Sequence, residues 1–244
     1  MTIRTLLLIG FVFSVHQAQA QQSAAATGAP EPDPWLVKAT LGYLATSGNT
    51  DSASLNSGFQ VQYADDRWLH ALEGTAIRSS EDEDTTAEAY ALGWKSEYNW
   101  TDTDYLFGRL DWRKDRFSGY DQQTSETLGY GRRLIDTAVH VLNAEIGAGA
   151  RQSDLADGTT ESEAILRAGL DYLWQFSETA QFTQVLAVEA GSENTYLESV
   201  SALTARLAAR LALVASYTIK NNSDVPAGTE KTDTFTALSL EYAF

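Results

Sequence analysis

Beyond residue 20 the chain has no run of 18 or more apolar residues, so nothing in it can cross a bilayer as a helix, and any membrane role falls to strands. Alternation takes the place of such runs. At the end of the sequence Thr236, Leu238, Leu240, Tyr242 and Phe244 hold the even positions, while Asp233, Ala237, Ser239, Glu241 and Ala243 hold the odd ones. A two-residue period sends alternate side chains to opposite faces of an extended chain. This segment is therefore a strand with one apolar face and one small or charged face.

The same rhythm recurs upstream. Residues 35–46 set Trp35, Val37, Ala39, Leu41 and Tyr43 against Lys38, Thr40 and Gly42, and Ser47, Gly48, Asn49 and Thr50 have the composition of a tight turn. A second strand, residues 53–63, alternates more cleanly still, and residues 64–67 turn into a third over 68–80. The acidic run Glu81, Asp82, Glu83 and Asp84 reads as a loop. A fourth strand from Thr86 carries Tyr90, Leu92, Trp94, Tyr98 and Trp100 opposite Lys95, Glu97 and Asn99. The fifth sets Leu106, Gly108, Leu110 and Trp112 against Arg109, Asp111, Arg113 and Asp115. After a loop at 117–121 come a sixth strand over 122–134, a seventh over 138–151, a loop at 152–160 and an eighth over 161–175. The ninth, 180–191, is less regular, and the tenth, 198–207, is so rich in alanine that a helix over 197–214 competes with it. Residues 211–221 and 231–244 complete the set, separated by a loop at 222–230.

Twelve is an even number, and each segment has about ten residues or more, the length a tilted strand needs to cross a membrane. Connections after the even strands are tight, whereas those after strands three, seven, nine and eleven are longer and polar. A soluble β-sandwich also alternates but has no reason for this asymmetry; a transmembrane barrel does, with short turns and both chain ends on the periplasmic side. The expected fold class is all-β, a transmembrane up-and-down antiparallel barrel of about 12 strands occupying residues 35–244. A strand closing on an aromatic residue, with another two places earlier on the same face, resembles the last strand of bacterial outer-membrane barrels. That likeness implies that Leu240, Tyr242 and Phe244 form an assembly signal for the barrel-assembly machinery.

Residues 1–20 have the form of a secretory signal: Arg4 supplies the charge, Leu6 to Val15 the short apolar core, and Ala18, Gln19 and Ala20 the small-residue cleavage pattern. On that reading residues 21–34, rich in Ala, Ser, Gly and Pro, are a disordered periplasmic lead-in. Removing Arg4 leaves 16 basic and 33 acidic residues, a net of −17, which excludes a nucleic-acid partner. Without a cysteine, disulfides, Cys-ligated metals and a lipoprotein anchor are excluded too.

Three features carry a family resemblance: Gly42 and Tyr43 leading to Ser47, Gly48, Asn49 and Thr50; the stretch Gly129, Tyr130, Gly131, Arg132, Arg133 and Leu134; and the closing strand from Asp233 to Phe244. On these the chain resembles the YdiY-like salt-induced outer-membrane proteins, whose members carry a domain of unknown function. The resemblance implies an outer-membrane location and a response to salt, and it brings no catalytic residues with it.

If the polar faces point inward, they collect Lys38, Lys95, Arg109, Arg113, Arg133, Arg151, Arg167 and Lys220 beside Glu97, Asp111, Asp115, Glu145, Asp171, Asp233 and Glu241. Such a ladder either selects solutes in a narrow pore or fills the lumen with ion pairs. Acidic residues at 81–84, Asp154, Asp157, Glu161 and Glu193 belong to the outer rim, near lipopolysaccharide, without the spacing of a dedicated cation site. Only His70 and His140 remain after residue 20, each near a periplasmic strand end, so an enzyme acting on lipid or lipopolysaccharide is the alternative reading. Trp35, Trp68, Trp94, Trp100, Trp112 and Trp174 read as interfacial girdle residues. Arg132 shares its parity with Leu128 and Tyr130 and therefore belongs at the interface or beside a bulge. The sequence thus leads to a monomeric or weakly oligomeric outer-membrane barrel in contact with lipid and lipopolysaccharide. It needs no cofactor or metal and is not an enzyme, serving as a passive small-solute channel or as an envelope-stabilising protein in osmotic stress. A soluble periplasmic β protein is the further alternative.

Overall fold

The structure, a computed structural model, describes residues 33–46, 52–81, 84–115, 120–155, 158–225 and 229–244. The signal and most of the lead-in, the turn at 47–50 and the middle of the acidic run fall outside these residues. Twelve strands follow one another: β1 (Trp35–Thr46), β2 (Ser52–Ala64), β3 (Trp68–Glu81), β4 (Asp84–Asn99), β5 (Asp104–Asp115), β6 (Tyr120–Asp136), β7 (His140–Leu155), β8 (Thr160–Gln175), β9 (Ala180–Ala190), β10 (Thr195–Ala208), β11 (Leu211–Asn222) and β12 (Thr232–Ala243). Each pairs antiparallel with its neighbours in sequence, and β1 pairs with β12, so the sheet closes as a barrel.

Several boundaries differ from the sequence expectation, and for one reason. Glu81 and Asp84, read as loop residues, belong to β3 and β4 and face each other in register. Likewise β7 continues to Leu155 and β8 begins at Thr160, where a loop over 152–160 was expected. Ladder hydrogen bonds carry on past the membrane, where both faces are polar and alternation no longer marks the strand. The helix that competes over 197–214 does not form: β10 is paired along both edges, with β9 from Thr195↔Ala190 to Ala205↔Ala180 and with β11 from Tyr196↔Asn222 to Ala208↔Leu211. Tertiary pairing overrides the local preference of alanine.

The outward face is apolar and unshielded, with Leu128 75%, Leu166 68% and Ile146 65% exposed, which in water would form a patch far beyond what a soluble monomer carries. Near the tight turns it becomes aromatic. Trp35 and Tyr63 lie 4.8 Å apart between centroids, Trp68 and Tyr98 5.0 Å, and Trp174 and Phe176 5.4 Å, an interfacial girdle spread over five strands and the turn after β8. The inward face mixes apolar side chains such as Ile77, Ile165 and Phe235 with polar ones, of which Asn56, Gln60, Gln62, Arg151 and Glu189 are all fully buried within the barrel.

Closure is uneven. β1 and β2 pair at every position from Trp35↔Tyr63 to Thr46↔Ser52, but β1 and β12 pair at four only, from Lys38↔Ala243 to Leu41↔Leu240. Below them Phe244 N–H donates to Val37 O at 3.0 Å. Above Leu41 no further β1/β12 pair is in register among the described residues, although the Leu238 carbonyl still lies close to Gly42. In detergent micelles we therefore expect amides of β1 beyond Leu41 to exchange with deuterated solvent well before those of the fully paired β6 and β7. Equal protection by mass spectrometry would mean the seam is zipped along its length.

Candidate functional site

Glycines begin the lumenal site. Gly129 and Gly131 of β6 face inward, and a Cβ at either would meet a neighbouring ring, Phe107 at 2.4 Å and Tyr105 at 2.2 Å. The two glycines of the stretch 129–134 thus make room for two aromatic side chains of β5 to lie flat over the next strand. Around those rings gathers the first charge cluster. Lys95 donates to Glu97 at 2.8 Å and, more closely, to Glu145, whose carboxylate also accepts from the Tyr105 hydroxyl at 2.8 Å. The Lys95 ammonium lies 5.5 Å and 5.3 Å from the Tyr105 and Phe107 ring centres, and the Arg133 guanidinium 5.0 Å from Tyr105. Arg133 also donates to Asn99 Oδ1 at 2.6 Å.

A second cluster lies further toward the outer end. Arg109 grips Asp111 through two nitrogens at 2.6 and 2.7 Å and reaches Glu73 at 3.2 Å. Glu189 receives Arg113 at 3.1 Å, Arg167 at 3.0 Å and Arg151 at 3.7 Å, while Arg151 binds Glu163 at 2.6 Å. Arg113 lies with its guanidinium 4.0 Å from the centre of the Tyr196 ring. These contacts are transverse. Lys95 and Glu145 join β4 to β7, Arg113 and Glu189 join β5 to β9, and Arg113 over Tyr196 joins β5 to β10, almost a diameter of twelve strands. Between the clusters lies a cavity of about 170 Å³ bordered by Glu73, Arg109, Asp171, Glu189 and Lys220. A second, of about 220 Å³, lies at the mouth near the tight turns, where Lys38 pairs with Glu241 at 3.1 Å.

The ladder read from sequence therefore divides. Lys95, Glu97, Arg133 and Glu145 come together, as do Arg109 with Asp111, and Arg113 with Arg151 and Arg167 around Glu189. Asp171 borders the central cavity without an ion pair among the described residues, Lys220 stands 4.0 Å from Glu198 and opposite Asp233 in register, and Asp115 ends β5. Glu73, Glu163 and Glu189, the acids that hold most of the arginines, were absent from the ladder, as were Tyr105, Phe107 and Tyr196. Strand parity would have found Tyr105 and Phe107, which share the face of Arg109. Glu189 sits on the irregular β9, where no polar row announces it.

Outside the lumen, Arg132 lies at the interface, 3.6 Å from Asp104, with a register shift beginning at the next residue. Leu240 pairs with Leu41, and Tyr242 meets Phe244 edge to face at 4.9 Å, all three facing outward. His70 stacks on Trp68 at 5.6 Å with Nδ1 2.9 Å from Ser96 Oγ, and His140 stacks on Tyr172 with Nδ1 2.9 Å from its hydroxyl. No carboxylate orients either ring among the described residues, so a serine lies near His70 but the third member of a hydrolytic triad does not. On the rim Asp154 accepts from Gln122 and Thr160, each at 2.8 Å, and no group of three metal-ligating side chains forms among the described residues.

Residues 39–244 match the family described as "Protein of unknown function, DUF481". The chain belongs to this family. It is 35% identical over 242 residues to the "Uncharacterized protein YdiY" of Escherichia coli strain K12, an alignment covering 98% of this chain and 96% of that one. Among solved structures, an outer-membrane channel from Pseudomonas putida F1 superposes with a TM-score of 0.54 at 11% identity, covering 89% of this chain and 99% of the other. That similarity concerns the fold, an outer-membrane β-barrel.

Breaking a buried ion pair strands its partner, at a cost of about 3–5 kcal/mol. Glu145→Leu should therefore lower the urea midpoint of the micelle-bound barrel markedly. Lys95→Met with Glu97→Gln added to it should recover most of the loss in the same tryptophan-fluorescence titration, because no buried charge of the trio is then left without its partner.

Proposed function

We propose that this chain is a passive outer-membrane channel for small solutes, narrowed by its own ion pairs. The observation that carries this reading is the lumen, where charged side chains border both a central cavity and a cavity at the mouth. A closed sheet bonds its backbone along the strand edges whatever side chains face the lumen, so stability does not require the interior to be polar, whereas passage of water-soluble molecules does. The name of the Pseudomonas relative in fold adds support only as an analogy of architecture. On this reading the chain reaches the outer membrane after secretion to the periplasm and contacts lipid and lipopolysaccharide. It performs no hydrolysis.

One observation favours the second reading, an envelope-stabilising protein in osmotic stress: Arg113 spans the lumen to Glu189 and Tyr196 and bars the middle of any straight path. Planar-bilayer recording decides between them. The channel reading expects discrete conductance steps that grow several-fold in Arg113→Ala as the bar is removed. Silence from both proteins would favour the structural role.

For assembly we propose that the outward aromatic pair Tyr242 and Phe244 is read by the barrel-assembly machinery. Deleting Phe244 should sharply reduce heat-modifiable barrel in outer-membrane fractions while secretion across the inner membrane continues. Undiminished barrel would sink this role.

A further inference from the structure

The lumen is not alike on all sides. Charges crowd the wall from β3 to β9, and nearly all are engaged with one another. Facing them, β11 and β12 present Val214, Ser216, Ala237 and Ser239 between the two cavities, with no charge and no side chain larger than valine. The central cavity touches this wall at Thr218 and Phe235, the mouth cavity at Ala212 and Glu241. One uncharged seam thus runs from the floor of one cavity to the roof of the other.

Neutral hydrogen-bonding groups are left over along and beside it. Thr40 Oγ1, Asn56 Nδ2, both amide atoms of Gln60 and of Gln62, and Thr218 Oγ1 have no hydrogen-bond partner among the described residues, although none of these residues is more than 6% exposed. They lie on β1, β2 and β11, within a block of four adjacent strands. Buried donors and acceptors without partners are costly, and native proteins rarely keep so many together unless something else bonds them. Amides and hydroxyls offer both donors and acceptors without net charge, which matches a hydroxylic molecule and poorly replaces the hydration of an ion.

This wall can also give way. It contains the barrel's shortest ladder, four pairs between β1 and β12, and where that ladder stops the Asn56 side chain lies against Gly42, its Oδ1 accepting from Ser239 Oγ at 3.3 Å. Asn56 thereby reaches from β2 past β1 to β12 across the seam.

We infer that solutes cross this barrel along the wall of β2, β1, β12 and β11, which is uncharged between the Lys38–Glu241 pair at the mouth and Lys220 with Asp233 at the far end of the central cavity, and that the passage takes small uncharged polyols and monosaccharides in preference to ions. The inference rests on the channel reading above and names its substrate class. The test uses refolded barrel in liposomes, with swelling in isotonic glycerol or arabinose followed by light scattering and potassium chloride conductance measured on the same preparation. Swelling should exceed that of empty liposomes for both solutes while ionic conductance stays small. Gln60→Leu with Gln62→Leu should slow swelling about threefold or more, the rate equivalent of a lost hydrogen bond, and Thr218→Val should slow it less. Heat-modifiable migration of each variant certifies folding. Strong conductance without faster swelling would overturn the solute class and leave the channel standing. Unchanged swelling in the folded variants would overturn the route, and passage of neither solute nor ion would overturn the channel reading as well.

Discussion

A peptide group in hydrocarbon has no water to bond, and each one left unpaired costs several kcal/mol. For a chain without an apolar helix this single constraint forces every strand to find two neighbours, and twelve of them satisfy it only by returning to the first. Outward side chains must then be apolar and inward ones are free to be anything, which is where this protein places its charge. The interior in turn has its own rule, because ions taken from bulk water must be matched, and here Arg113 meets Glu189 across the lumen while Arg167 reaches the same carboxylate from the neighbouring strand.

The glycine-rich stretch at 129–134 shows how the two constraints are joined. Removing two side chains from β6 admits the rings of Tyr105 and Phe107, and those rings position Lys95 and Arg133 for Glu145 and Glu97. A sequence signature that looks like a backbone device is therefore also an electrostatic one. It builds a low-dielectric bed on which a lysine shared between two carboxylates is held in place.

Architecture was legible because the lipid imposes alternation along most strands: Leu41, Tyr43, Leu106 and Leu110 all declare their face. Strand ends were not, since Glu81, Asp84 and Leu155 lie where both faces meet water and the pattern lapses. The inward positions of Lys95, Arg109 and Glu145 were readable from parity alone, but their partners were not. Period two gives the face of a residue and says nothing of which strand stands opposite. Arg113 meets Glu189 across 76 positions of sequence, and only closure of the sheet brings them together. Glu189 went unnoticed for a further reason, since Val185 and Ala187 share its inward row and disguise it as an apolar strand.

The unequal lengths of the strands have an effect on how the molecule meets the outside. β4, β6, β7 and β8 run to 16 or 17 residues, while β1, β11 and β12, like β5, have 12 and β9 has 11. At the rise and tilt usual for such strands, four extra residues lift that side by about 10 Å. With the tight turns at the other end, the strands themselves stand highest from β6 to β8 and lower from β11 to β1, as a spout is cut on a slant. A solute taking the inferred route along β1 and β12 would therefore have the taller strands as a screen on one side only.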